Sequence, residues 1–280
     1  MNLGIDIGGT YLRYELREDD KTVTKKRLRS SDIGLCEFLE NILNQEKNIT
    51  HIFISYAGQV NNGVILDAPN INIDRHNLQT YIQDKYDVKL LIENDVNCAV
   101  LAEAKAYDVK DICAVYVGTG LGLGVISASA LLRGHNNIAA ELGHIPYKKT
   151  PFTCNCGKNN CIELFASGSG LLKWKKEYTL NECLTLQQLY ENKNSDAKKL
   201  YSDFLEALLY AIGTTITIFN PEIVVLGGGI IKHNKNLLNT INAHIKAYAM
   251  PLSLENTTIR MSQLEDATLE GAFLLKDTNV

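Results

Sequence analysis

The chain opens with Asn2-Leu3-Gly4-Ile5-Asp6-Ile7-Gly8-Gly9-Thr10, an apolar run that ends in a pair of glycines. This pattern predicts a buried β-strand that closes in a tight turn and is followed by two further strands, 11–16 and 22–28. An amphipathic helix with Asp32 as its N-cap is predicted next, and then a buried strand at 51–55. The order strand–strand–strand–helix–strand indicates an α/β fold with mixed rather than purely parallel sheets.

A second glycine-rich turn follows a predicted strand at 112–117 and is the best candidate for a domain boundary. We therefore predict an N-terminal lobe (1–117) and a C-terminal lobe (118–266). A closing helix within 267–280 is expected to pack back on the first lobe.

Composition excludes several classes of protein. The 280 residues are 45% hydrophobic with a net charge of −4, which supports a sizeable core and argues against nucleic-acid binding. No apolar run approaches membrane-spanning length and no signal peptide precedes the first strand, so no membrane partner is expected. Four of the seven cysteines, Cys36, Cys98, Cys113 and Cys183, are interpreted as buried small hydrophobes of a cytoplasmic protein.

The first glycine turn has the chemistry of an anion site. Gly8 and Gly9 let backbone amides approach an anion closely, and Thr10 adds a hydroxyl donor. Asp6, at the end of the strand, could hold Mg²⁺ directly or through water. The alternative interpretation is an ordinary tight hairpin turn.

The second glycine turn, Gly118-Thr119-Gly120, matches neither a dinucleotide-binding fingerprint nor a P-loop. Two such turns, one at the start of each lobe, could grip a polyphosphate from both sides, although a bulged hairpin would also explain one of them. A third glycine run, Gly227-Gly228-Gly229, follows a buried strand. It would let a flat ligand lie against the backbone, or it is a simple strand–helix loop.

Glu93-Asn94-Asp95 lies where the buried strand at 89–92 is predicted to end and a helix to begin. An aspartate at this position is most often a helix N-cap. The functional interpretation is that Asp95 is a general base for a substrate hydroxyl and that Asn94 binds a neighbouring hydroxyl.

A metal-binding constellation lies in the second half of the chain. His144, Cys154, Cys156 and Cys161 supply one imidazole and three thiolates, a set that selects zinc. The set is closed, with no open position for water, which indicates a structural rather than a catalytic metal. Such a site in the loop 144–163 would also fix two neighbouring carboxylates, Glu141 and Glu163; unrelated free thiols are the alternative.

Taken together, these motifs resemble, in order and over essentially the whole chain, the ROK family (repressors, open reading frames and sugar kinases). The most specific match is Glu141-Leu142-Gly143-His144 together with the cysteine pattern that ends at Glu163. The resemblance implies the two-lobed actin-like ATPase (ribonuclease H-like) fold with a small zinc-binding insertion. A homodimer is the favoured assembly, and a homotetramer stays open.

The resemblance also implies roles for individual residues. Asp95 would be the general base of an ATP-dependent aldohexose 6-kinase, with ATP, Mg²⁺ and a structural Zn²⁺ as cofactors. The sugar hydroxyls would be bound by Gly58, Asn70, Asn94, Asp95, Glu141, His144 and Glu163. The nucleotide would lie against Asp6, Gly8, Gly9, Thr10, Gly118, Thr119, Gly120, Gly227, Gly228 and Gly229.

Within the family, the chain most resembles the D-allose kinases, through the stretches 9–17 and 140–146. The loop 55–60 departs from the glucokinase pattern because it lacks a Pro-Gly pair, so glucokinase and N-acetylmannosamine kinase activities stay open. A sugar-sensing regulator is a further alternative, but the first strand begins so near Met1 that no DNA-binding segment is expected. A zinc hydrolase would need an open metal position, which the closed ligand set disfavours.

Overall fold

The computed structural model describes residues 1–68 and 71–278. The chain divides into two units. The first contains Met1–Tyr107, Leu131–Ala139 and Leu264–Val280, and the second contains Asp108–Ala130 and Ala140–Gln263.

The first unit is built around a five-stranded sheet. Up to residue 107 its elements are β1 (Asn2–Ile7), β2 (Tyr11–Glu18), β3 (Lys21–Arg29), α1 (Leu35–Gln45), β4 (His51–Tyr56), β5 (Gln59–Asn61), β6 (Val64–Asp67), α2 (Leu78–Lys85), β7 (Lys89–Asn94) and α3 (Asp95–Tyr107). The strand order is β3-β2-β1-β4-β7. β1 is antiparallel to β2 and parallel to β4, which confirms the predicted mixed sheet.

The second unit has its own five-stranded sheet. Its elements are β8 (Ile112–Val117), β9 (Leu121–Ser127), β10 (Ala130–Leu131), α4 (Gly168–Glu177), α5 (Leu186–Glu191), α6 (Ser195–Phe219), β11 (Ile223–Gly227), α7 (Gly229–His233), α8 (Leu237–His244), α9 (Pro251–Glu255) and β12 (Thr258–Met261). The strand order is β10-β9-β8-β11-β12. As in the first sheet, the central strand has one antiparallel and one parallel neighbour: β8 is antiparallel to β9 and parallel to β11.

Helices cover both faces of the first sheet. α1 and α2 contribute to a buried cluster with β1, in which Leu3, Ile5 and Ile7 are fully enclosed. On the other face, the closing helix α10 (Ala267–Leu274) packs with α3 through a cluster that includes Leu269. Burial of both faces explains why the central strands read as continuous apolar runs.

Among the described residues, one helix, α6, meets the length and composition criteria for a membrane-spanning segment. The expectation that no apolar run approaches that length is therefore wrong for α6. Core helices meet the same criteria, and half of the apolar window of α6 is buried. Its buried face includes Leu200, Phe204, Ile212 and Ile216, which lie in the main hydrophobic cluster of the second unit.

The structure also corrects two local predictions. Strand β8, predicted to end the first lobe, instead pairs with β9 and β11 in the second sheet. The N-cap of α1 is Gly34 rather than Asp32. The amides of Cys36 and Glu37 donate instead to the carboxylate of Asp74, with N···O distances of 2.9 and 3.2 Å.

Candidate functional site

The first glycine turn joins β1 to β2, and the amide of Gly8 donates to Tyr11 O at 3.0 Å.

Asp6, the buried residue before the turn, accepts hydrogen bonds from two sides. Ser55 Oγ donates to its Oδ1 at 2.8 Å, and Arg13 Nη2 donates to its Oδ2 at 2.5 Å. The antiparallel register places Arg13 opposite Asp6, and the guanidinium also pairs with Asp266 at 2.8 Å. Because both oxygens of Asp6 already accept hydrogen bonds, this carboxylate suits a magnesium ion held through water better than one bound directly.

The second glycine turn joins β8 to β9. The start of α4 packs on it, because the amides of Gly168 and Ser169 donate to the carbonyls of Gly118 and Thr119 at 2.8 and 3.0 Å. A Cβ added to Gly118 would meet no atom within 4 Å. Packing therefore does not require this glycine, and the open space in front of its backbone fits close approach of a ligand.

The third glycine run has two different roles within the second unit. A Cβ on Gly227 would lie 2.4 Å from the Tyr116 ring, and Gly228 has a φ of +87°. These two glycines are required by packing and backbone conformation. Gly229, at the start of α7, faces open space within 4 Å and is the member that a ligand can approach.

The stretch Glu93-Asn94-Asp95 lies where β7 ends and α3 begins. The capping role considered for Asp95 falls largely to Asn94. Its Oδ1 accepts from the amides of Val96 and Asn97 at 2.9 and 3.2 Å, and its Nδ2 donates to Gly58 O at 3.1 Å. Asp95 Oδ1 accepts from the Val96 amide at 2.9 Å, and its side chain is partly exposed. The carboxylate is thus anchored at the helix start yet reachable by a substrate hydroxyl.

Two other predicted sugar residues belong to this part of the chain. Gly58 tolerates no side chain, because a Cβ would lie 2.3 Å from Asp67 O and 2.8 Å from the Tyr56 ring. Asn70 lies outside the described residues.

Glu93 is a buried acid for which the sequence predicts no role. Its side chain is 1% exposed. Oε2 accepts from Arg133 Nε at 2.8 Å, and Oε1 accepts from Asn97 Nδ2 at 3.1 Å and from Asn137 Nδ2 at 2.8 Å. Two of these partners are 40 and more residues away in the chain, so local patterns cannot reveal them. The sequence does offer one indication of a buried, paired acid: Glu93 is a charged residue near the end of an otherwise apolar buried strand.

The four predicted metal ligands come together in the second unit. The ligand atoms of His144, Cys154, Cys156 and Cys161 all lie within 4.8 Å of one another. Cys154 Sγ is 3.5 Å from His144 Nδ1, and the sulfurs of Cys156 and Cys161 are 3.3 Å apart. Zn–S bonds of about 2.3 Å and a Zn–N bond of about 2.0 Å in a tetrahedron imply separations of roughly 3.5–3.8 Å between ligand atoms. The donor set and its spacing therefore fit zinc, with Nδ1 as the ligand atom of the histidine.

Both carboxylates that flank the metal-binding residues contact them. His144 Nε2 lies 3.8 Å from Glu141 Oε2, which is close but beyond hydrogen-bond distance. Glu163 Oε1 lies 3.7 Å from Cys154 Sγ, and its Oε2 accepts from the Leu121 amide at 3.0 Å. Glu163 therefore connects the cysteine set to the second glycine turn.

The cysteines outside this set behave in two ways. Cys36, Cys98 and Cys113 are buried, as predicted, and burial raises the pKa of Cys98 and raises that of Cys113 to about 12. They are therefore unreactive thiols. Cys183 is exposed, so its predicted burial is wrong. It lies in the connection between α4 and α5 rather than on a buried helix face.

Comparison with known proteins gives the family. The sequence profile of the ROK family matches residues 2–279, and the chain belongs to that family. It is 29% identical over 304 residues to a glucokinase of Thermotoga maritima, covering 96% of this chain and 95% of the relative. It is 28% identical over 273 residues to the xylose repressor of Bacillus subtilis, covering 88% of this chain and 68% of the relative.

Solved structures show the same fold. A ROK family glucokinase from Streptomyces griseus, solved with glucose and AMPPNP, superposes with a TM-score of 0.78 at 22% identity and covers 98% of each chain. The predicted α/β fold of the actin-like ATPases, with mixed sheets, is confirmed.

Proposed function

We propose that the protein is an ATP-dependent hexose kinase that transfers the γ-phosphate to the sugar 6-hydroxyl, with D-allose as the favoured substrate. The observation that carries the proposal is Asp95, a partly exposed carboxylate fixed at the start of α3 beside Asn94 and Gly58. The similarity to a glucokinase along nearly the whole of both chains supports the reaction class.

Asp95 is the proposed general base. It accepts the proton of the 6-hydroxyl as the oxygen attacks the γ-phosphorus. Phosphoryl transfer needs little covalent chemistry from the protein, so positioning and charge stabilisation dominate the rate. Asn94, held by Gly58 O and by the amides of α3, supplies one remaining amide hydrogen for a neighbouring hydroxyl. Gly58 and Asn70 complete the proposed sugar-binding residues of the first unit.

In the second unit the proposed sugar-binding residues are Glu141, His144 and Glu163. A zinc ion on His144 Nδ1 and the three cysteines, Cys154, Cys156 and Cys161, would supply structure rather than chemistry. With the histidine held through Nδ1, its Nε2 would face the sugar, and the carboxylates of Glu141 and Glu163 keep lone pairs that can accept from sugar hydroxyls. The role of the metal is to keep these side chains in one orientation, because the closed ligand set has no position for substrate.

The proposed nucleotide residues are the three glycine runs and Asp6. Gly8, Gly9 and Thr10 in one turn and Gly118, Thr119 and Gly120 in the other offer backbone amides and hydroxyls to the phosphates. Asp6 would hold Mg²⁺ through water, and a bound ion would supply charge neutralisation for the phosphates. Gly227, Gly228 and Gly229 border the nucleotide, with Gly229 as the point of close approach.

A second candidate is a sugar-sensing regulator, because a xylose repressor is nearly as similar as the glucokinase. Both functions need sugar binding, but only the kinase needs a general base and consumption of ATP. The resemblance favours a homodimer, whereas the acidic net charge argues against a nucleic-acid partner and the cysteine usage favours a cytoplasmic protein without a membrane partner.

The test is a coupled ADP-release assay with allose, glucose, mannose, N-acetylmannosamine and fructose. We expect hexose-dependent ADP release, with the phosphate recovered on the 6-position and allose as the best substrate. Sugar binding measured by calorimetry without ADP release for any sugar would favour the regulator. Turnover of glucose or N-acetylmannosamine in preference to allose would retain the kinase and reject the sugar assignment.

A further inference from the structure

The segment 131–139 belongs to the first unit, although the chain on both sides of it belongs to the second. Two of its side chains, Arg133 and Asn137, reach Glu93. Neither belongs to a motif predicted to bind the sugar, the nucleotide or the metal. The segment therefore brings new polar groups to the residue directly before Asn94 and Asp95.

Glu93 is the centre of this contact. It is almost fully buried, and a buried carboxylate is costly unless it is paired and hydrogen-bonded. Arg133 provides the opposite charge at 2.8 Å. The remaining partners of Glu93 are the Asn94 amide and the side-chain amides of Asn97 and Asn137. Because these contacts hold the Glu93 carboxylate in place, Asn137 bonds to a fixed acceptor and not to a mobile surface side chain.

The orientation of Asn137 is determined by its partners. Nδ2 donates to Val60 O at 2.7 Å and to Glu93 Oε1 at 2.8 Å. Both partners are acceptors, so the amide nitrogen, and not the oxygen, must face them. The oxygen Oδ1 therefore points elsewhere. It is buried and has no hydrogen-bond partner among the described residues.

A buried acceptor without a donor is unusual and destabilising. The backbone at Asn137 has a φ of +59°, a left-handed conformation that asparagine adopts more readily than most residues. The same side chain bonds to Val60, two residues after Gly58, and to Glu93, next to Asn94 and Asp95. The unpaired oxygen is thus tethered to both segments that are proposed to bind the hexose.

We propose that Asn137 is a hexose-binding residue whose Oδ1 accepts a hydrogen bond from a sugar hydroxyl. Glu93, neutralised by Arg133, is the positioning residue that keeps the amide in place. This inference rests on the proposed function for the identity of the ligand. A hydroxyl is a matching group because it can donate to the orphaned oxygen.

The test compares Asn137 with its exposed neighbour Asn136. Asn137→Gly removes the side chain and suits the positive φ, whereas Asn137→Ala removes it with some backbone strain. An effect shared by both variants therefore belongs to the side chain. Asn136→Gly and Asn136→Ala are the matched controls. Circular dichroism and thermal melting verify that each variant is folded.

We expect both Asn137 variants to raise the hexose KM and Kd about 10- to 100-fold, as loss of a buried hydrogen bond predicts. The KM for ATP should change less than about twofold. The ratio of kcat/KM between hexoses that differ at one carbon should also shrink. The controls should match the wild-type protein in all of these values. A general structural defect would change the KM for ATP as well.

Two results would overturn the inference. One is an unchanged hexose Kd in both folded Asn137 variants, which would mean that a water molecule alone satisfies Oδ1. The other is an equal loss of hexose and ATP affinity. Failure of the kinase proposal is distinguishable, because calorimetry measures hexose binding without turnover. A wild-type protein that binds hexose but releases no ADP rejects the kinase and still tests Asn137.

Discussion

The two sheets have the same strand order, but the acids beside them are held in different ways. In the first unit, Asp6 and Glu93 are buried and paired with Arg13 and Arg133. In the second unit, no cation pairs with Glu163 within the described part of the chain. This residue lies beside Cys154 and accepts a backbone hydrogen bond. Folding of the polypeptide alone organises the first set, whereas the second set depends on how four metal-binding side chains are held.

The acids of the two units are thus held in place by two different kinds of interaction. Both partners of an ion pair inside a unit belong to the chain, so the pair forms without an added ligand. A metal site adds an equilibrium with free metal and with protons, because its thiols must lose protons to bind. We therefore expect the residues around Asp95 and those around Glu163 to respond differently to mutation and to chelation.

The largest effect is expected at Asp95. Asp95→Asn should lower kcat about 10²- to 10⁴-fold, since an amide cannot accept the hydroxyl proton. Hexose affinity by calorimetry and the melting temperature should stay close to wild type, because the amide oxygen still accepts from Val96. Near-normal turnover would remove Asp95 from the mechanism and leave the first unit without its proposed general base.

The next effect concerns the metal. Wild-type protein should contain one zinc per chain by elemental analysis, and Cys161→Ser should lose it. Hexose kcat/KM should then fall about 10- to 100-fold because Glu141 and Glu163 lose their support. Chelation of the wild-type protein should have the same effect.

The matched control is Cys183→Ser, which changes an exposed thiol of the same unit. It should retain zinc and activity. Hydrogen exchange should increase in 144–163 after chelation and stay unchanged at 93–97. If chelation leaves 144–163 protected and activity intact, the two units do not differ in the way described above.

How much of this could be predicted from the sequence depends on the separation of the interacting residues. The cysteine set spans 18 residues and was predicted in full, because its spacing and chemistry are both local. The strands β1 and β8 were predicted from apolar runs, but not the sheet to which β8 belongs. That assignment requires pairing with β11, about 110 residues later.

The site itself shows the same limit. Asp95 could be proposed from its position after a buried strand. Asn94 as the helix cap and Glu93 as a buried anchor could not, because the first depends on side-chain rotamers and the second on Arg133 and Asn137. Tertiary contacts decide that Asn94 caps the helix and that Glu93 is a buried anchor, whereas the role proposed for Asp95 rests on its position.

The sugar preference is a smaller effect and tests the loop 55–60 of the first unit. We expect a higher kcat/KM for D-allose than for D-glucose, which differ only at the 3-hydroxyl. A site that bonds one epimer leaves polar groups unpaired with the other, at a cost of roughly 1–3 kcal/mol. Competition between the two sugars at equal concentration measures the ratio directly. A tenfold preference for glucose would reject the allose assignment without affecting Asp95 or the metal site.

The smallest effect concerns stability of the first unit. Asp74→Ala should lower the free energy of unfolding by about 0.5–2 kcal/mol, because the first amides of α1 lose the carboxylate that caps them. Asp32→Ala is the control, since this exposed residue was the predicted cap but does not contact those amides; its effect should stay below about 0.5 kcal/mol. Urea unfolding with excess zinc present in all samples isolates the first unit's contribution from metal loss. Equal effects of the two variants would mean that the long-range cap contributes nothing beyond an ordinary surface acid.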